Sequence, residues 1–153
     1  MSLELSDVRS WKKVYENDLD NIIIELKEAV KTPSVIILEG VVGAGKTTFT
    51  KKFIDQKNST TSPSYSIINE IENVVHADFY RLENRDEIIH LEIPLYLEGK
   101  DFFLIEWGRE YFLDIVNEVG EGFNFYILEI TMNELKSAEE FPSRNFFFKQ
   151  IKI

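Results

Sequence analysis

The spacing of apolar residues changes several times along the chain. From Leu19 to Val30 they fall at Leu19, Ile22, Ile23, Leu26, Ala29 and Val30, the spacing of one helix face, and Pro33 closes that stretch. Ser34–Glu39 (SVIILE) is a short, nearly uniform, β-branched run, as in a parallel strand buried on both faces. Gly40–Gly45 then reads as a loop, and residues 46 to 57 as a helix with Phe49, Phe53 and Ile54 facing inward. The polar segment NSTTSPS (58–64) is a loop, Tyr65–Ile71 alternates as a strand does, and Val74–Asp78 is a second short strand. Glu83–Leu91 reads as a helix, and Pro94 interrupts the next stretch. Asp101–Glu106 (DFFLIE) is another buried strand, tipped by an acid. Phe123–Thr131 and Arg144–Ile153 are strand-like with no helical period between them, which predicts an antiparallel pair. Strands alternating with helices over the first hundred residues predict a single α/β domain over 1–153, with helices on both faces of the sheet.

Composition narrows the class. A chain of 153 residues suits one domain, and its 44% hydrophobic share, with 12 Phe, supplies a core. The absence of cysteine excludes disulfides and thiolate metal sites. No run approaches the ~18 uncharged apolar residues of a membrane span. The N-terminal MSLELSDVRSWKK lacks the apolar block of a signal peptide, so the expected address is cytoplasmic, away from the membrane. With 17 Lys+Arg against 27 Asp+Glu the formal charge is -10, which disfavours binding a nucleic-acid backbone unaided but excludes neither a local basic site nor a protein partner.

The chemistry concentrates in Gly40-Val-Val-Gly-Ala-Gly-Lys-Thr47, a full G-x-x-x-x-G-K-[ST] match between a predicted strand and a predicted helix. Its glycines let successive N–H groups point inward around phosphate oxygens, and the helix adds its own N–H groups and positive dipole end. Lys46 would reach the β- and γ-phosphates, and the Thr47 hydroxyl would ligate Mg²⁺. The reading is therefore a nucleoside triphosphate site with Mg²⁺ as an expected ligand. A carboxylate at the end of a neighbouring strand completes such a site, and two compete: Glu106 after Phe102–Ile105, and Asp78 after Val74–Ala77. Glu106 is preferred for the metal because its more apolar strand reads as the more deeply buried; Asp78 would then orient the attacking water or touch the γ-phosphate side. Ser62–Tyr65 reads as a turn or as a γ-phosphate-sensing loop. His76 reads as a packed strand histidine and His90 as surface. Trp107 either stacks on a base or packs as a lid, and Arg81 and Arg85 either clamp phosphate or an acidic partner or stand solvated.

GVVGAGKTTF (40–49), SPSYSIINE (62–70), HADFYRL (76–82) and LIEWG (104–108) occur in the order and spacing of the TsaE (formerly YjeE) family, which the chain resembles over about Asp18 to Glu110. GAGKTTF alone is generic, whereas the HxDxYRL and IEW blocks beside it are specific to that family. The resemblance implies a P-loop NTPase-like fold, with a mixed, mostly parallel sheet, and a small ATPase serving the threonylcarbamoyl modification of adenosine in tRNA. It implies that Val42, Gly43, Ala44, Gly45, Lys46, Thr47 and Thr48 bind ATP, that Thr47 and Glu106 hold Mg²⁺, and that Asp78 and Trp107 sit beside the nucleotide. Lys46, Asp78 and Glu106 are then the catalytic set. Ser62–Tyr65 would be a switch-like loop in which Ser64 replaces the family's usual Thr. Arg144 corresponds to a late arginine approaching ATP. Glu16-Asn-Asp18 stands where relatives carry a Ser/Thr segment enclosing the nucleotide, and Gly108 where they carry Pro or a small or polar residue. The implied partner is a TsaB–TsaD-like heterodimer, with tRNA engaged only through that complex.

Two other classes share parts of this pattern. A small P-loop kinase of a nucleoside or small molecule has the same loop and acid-tipped strands, but generally a lid with several arginines. The arginines here are Arg9, Arg81, Arg85, Arg109 and Arg144. A nucleotide-gated binding module would use ATP only to order the 62–65 loop.

Overall fold

The structure, a computed structural model, describes residues 3–54 and 67–153. Seven strands form one sheet: β1 (Glu4–Val14), β2 (Ser34–Glu39), β3 (Ile68–Ile71), β4 (Val74–Asp78), β5 (Phe102–Glu106), β6 (Asn124–Met132) and β7 (Arg144–Lys152). Their order is β1-β7-β6-β2-β5-β4-β3. The central block β6-β2-β5-β4 is parallel, while β7 on β6, β1 on β7 and β3 on β4 are antiparallel. The helices are α1 (Leu19–Ala29), α2 (Lys46–Phe53), α3 (Asp86–His90), α4 (Pro94–Leu97) and α5 (Phe112–Val119).

Two cores follow from the strict alternation of the central strands. Ile36, Leu38, Leu104, Tyr126 and Leu128 pack with Leu26 of α1 and with Phe49 and Phe53 of α2. Val35, Ile37, Phe103, Ile105 and Ile127 point the other way, onto Ile88, Leu97, Phe112 and Ile115 of α3, α4 and α5. Because both faces are covered, β2 and β5 are nearly uniform apolar runs. Phenylalanines link layers: Phe49 lies 5.9 Å from Phe146 of β7, and Phe53 meets Phe102 edge-on at 5.0 Å.

The expected helices on both faces, and the antiparallel pair β6–β7, are present. Residues 55–57 of the helix expected to end at 57, and residues 65–66 of the strand expected from Tyr65, lie outside the described residues. The helix expected over Glu83–Leu91 is reduced to α3, and Pro94 begins a helix rather than merely interrupting one. Its ring occupies the first turn of α4, where a missing N–H costs nothing. Strand β1 and helix α5 have no counterpart among the elements expected from the sequence, nor do the short 3-10 turns Glu16–Asp18 and Arg109–Tyr111. Strand β1 is mostly exposed and has register shifts at Asp7/Arg9 and Trp11/Val14, so no alternation marks it. It is fastened to α1 by Arg9 and Trp11, whose side chains donate to Glu25 at 2.7 and 2.8 Å. Helix α5 has ordinary amphipathic spacing at Phe112, Ile115, Val116 and Val119. Among the described residues no helix is long and apolar enough to cross a membrane.

Candidate phosphate-binding site

Parallel register brings three strand ends together: Glu106 on β5 pairs with Leu38 on β2 and with Asp78 on β4. The loop from β2 therefore rises beside both candidate acids before it enters α2. Gly45, at φ +108°, makes the final turn into that helix, in a left-handed conformation that a side chain would strain.

Every residue assigned to the nucleotide within the described part, Ala44 excepted, lines one cavity of about 380 Å³. Val42, Gly43, Gly45, Lys46, Thr47 and Thr48 come from the loop and helix, Asp78, Glu106 and Trp107 from the strand ends, and Arg144 from the start of β7. Ala44 turns its methyl into the core and is fully buried. Ser64, with Ser62, Pro63 and Tyr65, lies outside the described residues.

Lys46 is 5% exposed. Its Nζ donates to the Gly40 carbonyl at 2.5 Å and stands 3.4 Å from the Trp107 ring centroid. Burial pushes the ammonium's pKa down, against the pull of Glu106, Asp78 and Glu39. Glu106, 4% exposed, uses both carboxylate oxygens: Oε1 accepts from the Thr47 hydroxyl at 3.3 Å, and Oε2 lies 2.7 Å from His76 Nε2. Asp78 is exposed and accepts the Tyr80 N–H through Oδ1 at 3.0 Å. Arg144 clasps the loop from outside, donating from Nε to the Ala44 carbonyl at 2.6 Å and from Nη2 to the Gly43 carbonyl at 3.3 Å.

Trp107 holds φ at +62°, a left-handed conformation that is costly for an aromatic residue, and its ring lies 5.0 Å from that of Tyr80. The residue after it has no room for a side chain. A Cβ on Gly108 would fall 2.7 Å from Ile105 Cγ2 and 3.2 Å from Ile115 Cδ1. Gly108→Ala is thus expected to destabilise the chain by about 1–3 kcal/mol, measured by denaturant unfolding; an unchanged midpoint would show that the turn relaxes freely.

A second cavity, of about 530 Å³, shares Gly45, Thr48 and Arg144 with the first. Its other walls are Val14–Leu19, which include Glu16, Asn17 and Asp18, together with Phe141, Pro142 and Phe146.

The sequence reading missed two groups. His76, taken as a packing residue, touches Glu106, and Tyr80 lines the cavity. A signal for His76 existed: it lies two residues before Asp78 and so shares that residue's face of β4. Arg81 and Arg85 do not line the cavity, and Arg85 is paired with Asp114 of α5 at 3.0 Å.

Residues 14–140 match the family model described as threonylcarbamoyl adenosine biosynthesis protein TsaE. The tRNA threonylcarbamoyladenosine biosynthesis protein TsaE of Bacillus subtilis is 36% identical over 106 residues, covering 65% of this chain; the chain spans 66% of that relative's length, just under two thirds. The protein of the same name from Nostoc sp. is 32% identical over 123 residues, covering 71% of this chain and 75% of that one. The solved structure of Bacillus subtilis YdiB superposes with a TM-score of 0.56 at 24% identity, covering 99% of this chain and 89% of that one, a likeness of fold.

Proposed function

Because the chain belongs to the TsaE family of threonylcarbamoyl adenosine biosynthesis proteins, we propose that it is a P-loop, Mg²⁺-dependent ATPase of that pathway, acting on a TsaB–TsaD-like complex. The single observation that carries this reading is the convergence of the Lys46 ammonium, the Thr47 hydroxyl and the Glu106 carboxylate on one loop-lined cavity.

The residues divide the work by position. Backbone N–H groups of the loop and the first turn of α2 bind the phosphates. Lys46 exchanges its present acceptor, the Gly40 carbonyl, for a β- or γ-phosphate oxygen, a stronger charge-assisted bond. Thr47 Oγ1 and Glu106, hard oxygen donors 3.3 Å apart, fit Mg²⁺, which commonly takes few protein ligands and completes its shell with phosphate and water. Bound there, Mg²⁺ would offset the charge that develops on the transferred phosphoryl group. Asp78, exposed beside Glu106, orients the attacking water. The second cavity, sharing Arg144 and Thr48 with the first, takes the ribose and base.

Unaided hydrolysis is slow on this reading, because four of the five guanidinium groups have other employment and the fifth, on Arg81, does not line the cavity. Arg9 pairs with Glu25, Arg85 with Asp114 and Arg109 with Glu39, and Arg144 is held by loop carbonyls. A partner would then supply what an arginine finger supplies elsewhere, and the formal charge of -10 suits docking on a basic protein surface.

The test is calorimetry with ATP and Mg²⁺, followed by phosphate release with and without the TsaB–TsaD pair. Binding of ATP with turnover raised by the pair is expected. No heat from any nucleoside triphosphate would overturn the reading. With γ-labelled ATP, transfer of label to a small hydroxyl compound rather than to water would identify a kinase, and near-zero turnover in every condition a pure binding module.

A further inference from the structure

We infer that His76 is a positioning residue for the metal carboxylate: its Nε2–H fixes the plane of Glu106 so that Oε1 is presented beside the Thr47 hydroxyl. This inference rests on the nucleotide reading above. It concerns a residue outside the phosphate loop and outside the lining of its cavity.

The sheet dictates the contact. His76 pairs in register with Leu104, and Asp78 with Glu106, on adjacent parallel strands. Alternation puts His76, Asp78 and Glu106 on one face, the face covered by α2. Nε2 of His76 stands 2.7 Å from Glu106 Oε2, and a carboxylate at that distance can only accept, so the ring donates. The opposite oxygen, Oε1, already holds the Thr47 hydroxyl at 3.3 Å. With both oxygens tethered to different elements, the carboxylate can neither rotate about its terminal bond nor swing towards Asp78.

Desolvation makes the arrangement consequential. The two side chains are 18% and 5% exposed, so little water is at hand to replace a lost hydrogen bond. An acid this buried, with one oxygen left unanchored, would turn to a neighbouring donor, and of the acids around the Lys46 ammonium Glu106 is the one that acts on it most strongly. Such a collapse would remove a ligand from the metal position and a cation from the phosphates together. Outer groups that orient metal ligands typically change metal affinity 10- to 100-fold when removed.

The purely structural alternative is that His76 merely satisfies a buried carboxylate, and the two differ in what depends on Mg²⁺. His76→Gln carries an amide N–H near the position of Nε2, whereas His76→Asn keeps polarity but stops short of Glu106. The full chain is titrated with a non-hydrolysable ATP analogue in chelator, and then with Mg²⁺ once saturated, using calorimetry; thermal unfolding is followed in parallel. The expected result for His76→Asn is a Mg²⁺ affinity lower by about 10-fold or more, with analogue binding in chelator within about twofold of the parent and His76→Gln restoring most of the loss. Unchanged Mg²⁺ affinity in folded His76→Asn, or equal losses with and without Mg²⁺, would overturn the inference while leaving the nucleotide reading intact. An unaltered chain that binds no analogue at all would overturn both.

Discussion

Replacing Lys46 by methionine is expected to weaken ATP binding by about 100-fold, roughly 2.8 kcal/mol, while leaving the folded chain as stable as before or more so. The two halves of this result have different causes. Binding suffers because, on the proposed reading, the ammonium is the charge that the loop offers to the β- and γ-phosphates, and hydrogen bonds to charged groups are worth about 1.5–3 kcal/mol each. Stability does not suffer because the group is 5% exposed in the folded protein and its surroundings, on balance, disfavour the charge. Burial lowers its pKa by more than Glu106, Asp78 and Glu39 together raise it. Methionine keeps the apolar stem against Trp107 and drops the buried cation.

The pH dependence has a definite sign. A base whose folded pKa lies below its unfolded value binds fewer protons when folded, and its penalty is complete only below the folded value. That penalty fades as pH climbs through the interval between the two values. Stability of the unaltered chain should therefore gain over that alkaline interval a contribution that Lys46→Met lacks. Calorimetry reads the first half of the prediction and thermal unfolding across pH the second. A melting temperature lowered by several degrees at neutral pH would show instead that the ammonium is a structural ion partner of Glu106.

Legibility in the sequence followed burial and sequence separation. Ser34–Glu39 was readable to its ends because β2 is covered on both faces and its composition has one explanation. The loop from Gly40 to Thr47 was readable because its chemistry is contiguous. Strand β1 was not, because its pairing with β7 is made by main-chain groups while its side chains face largely into water. The region from Asp86 to Leu97 was only half readable: its apolar positions suit a helix, but Glu92 takes φ +55° and splits it into α3 and α4. In the site, both acid candidates could be named from strand endings, and the more apolar run before Glu106 already marked it as the more deeply buried, as its 4% exposure beside an exposed Asp78 bears out. The link from His76 to Glu106 spans 30 residues and arises from strand order, which no local pattern specifies.

That same difference between the two acids predicts the other large effect. Glu106→Gln is expected to lower Mg²⁺-dependent ATP hydrolysis by about 100-fold or more, within the several kcal/mol that metal-borne charge stabilisation contributes, and to leave ATP binding in chelator unchanged or tighter. The amide preserves the shape of the side chain and can still accept from Thr47 or His76, so packing is retained. What disappears is the negative charge facing the proposed metal position, together with its repulsion of the phosphates that the proposal places there. Asp78→Asn should differ in kind: Asp78 is exposed and one strand further from Thr47, so its loss should slow turnover without shifting the Mg²⁺ concentration at which activity is half-maximal. Measuring phosphate release against Mg²⁺ for both variants, in the presence of the partner complex, separates the two roles. If Asp78→Asn raises that Mg²⁺ requirement and Glu106→Gln does not, the metal sits on β4, and the buried Glu106 carboxylate serves chiefly as counter-charge to Lys46.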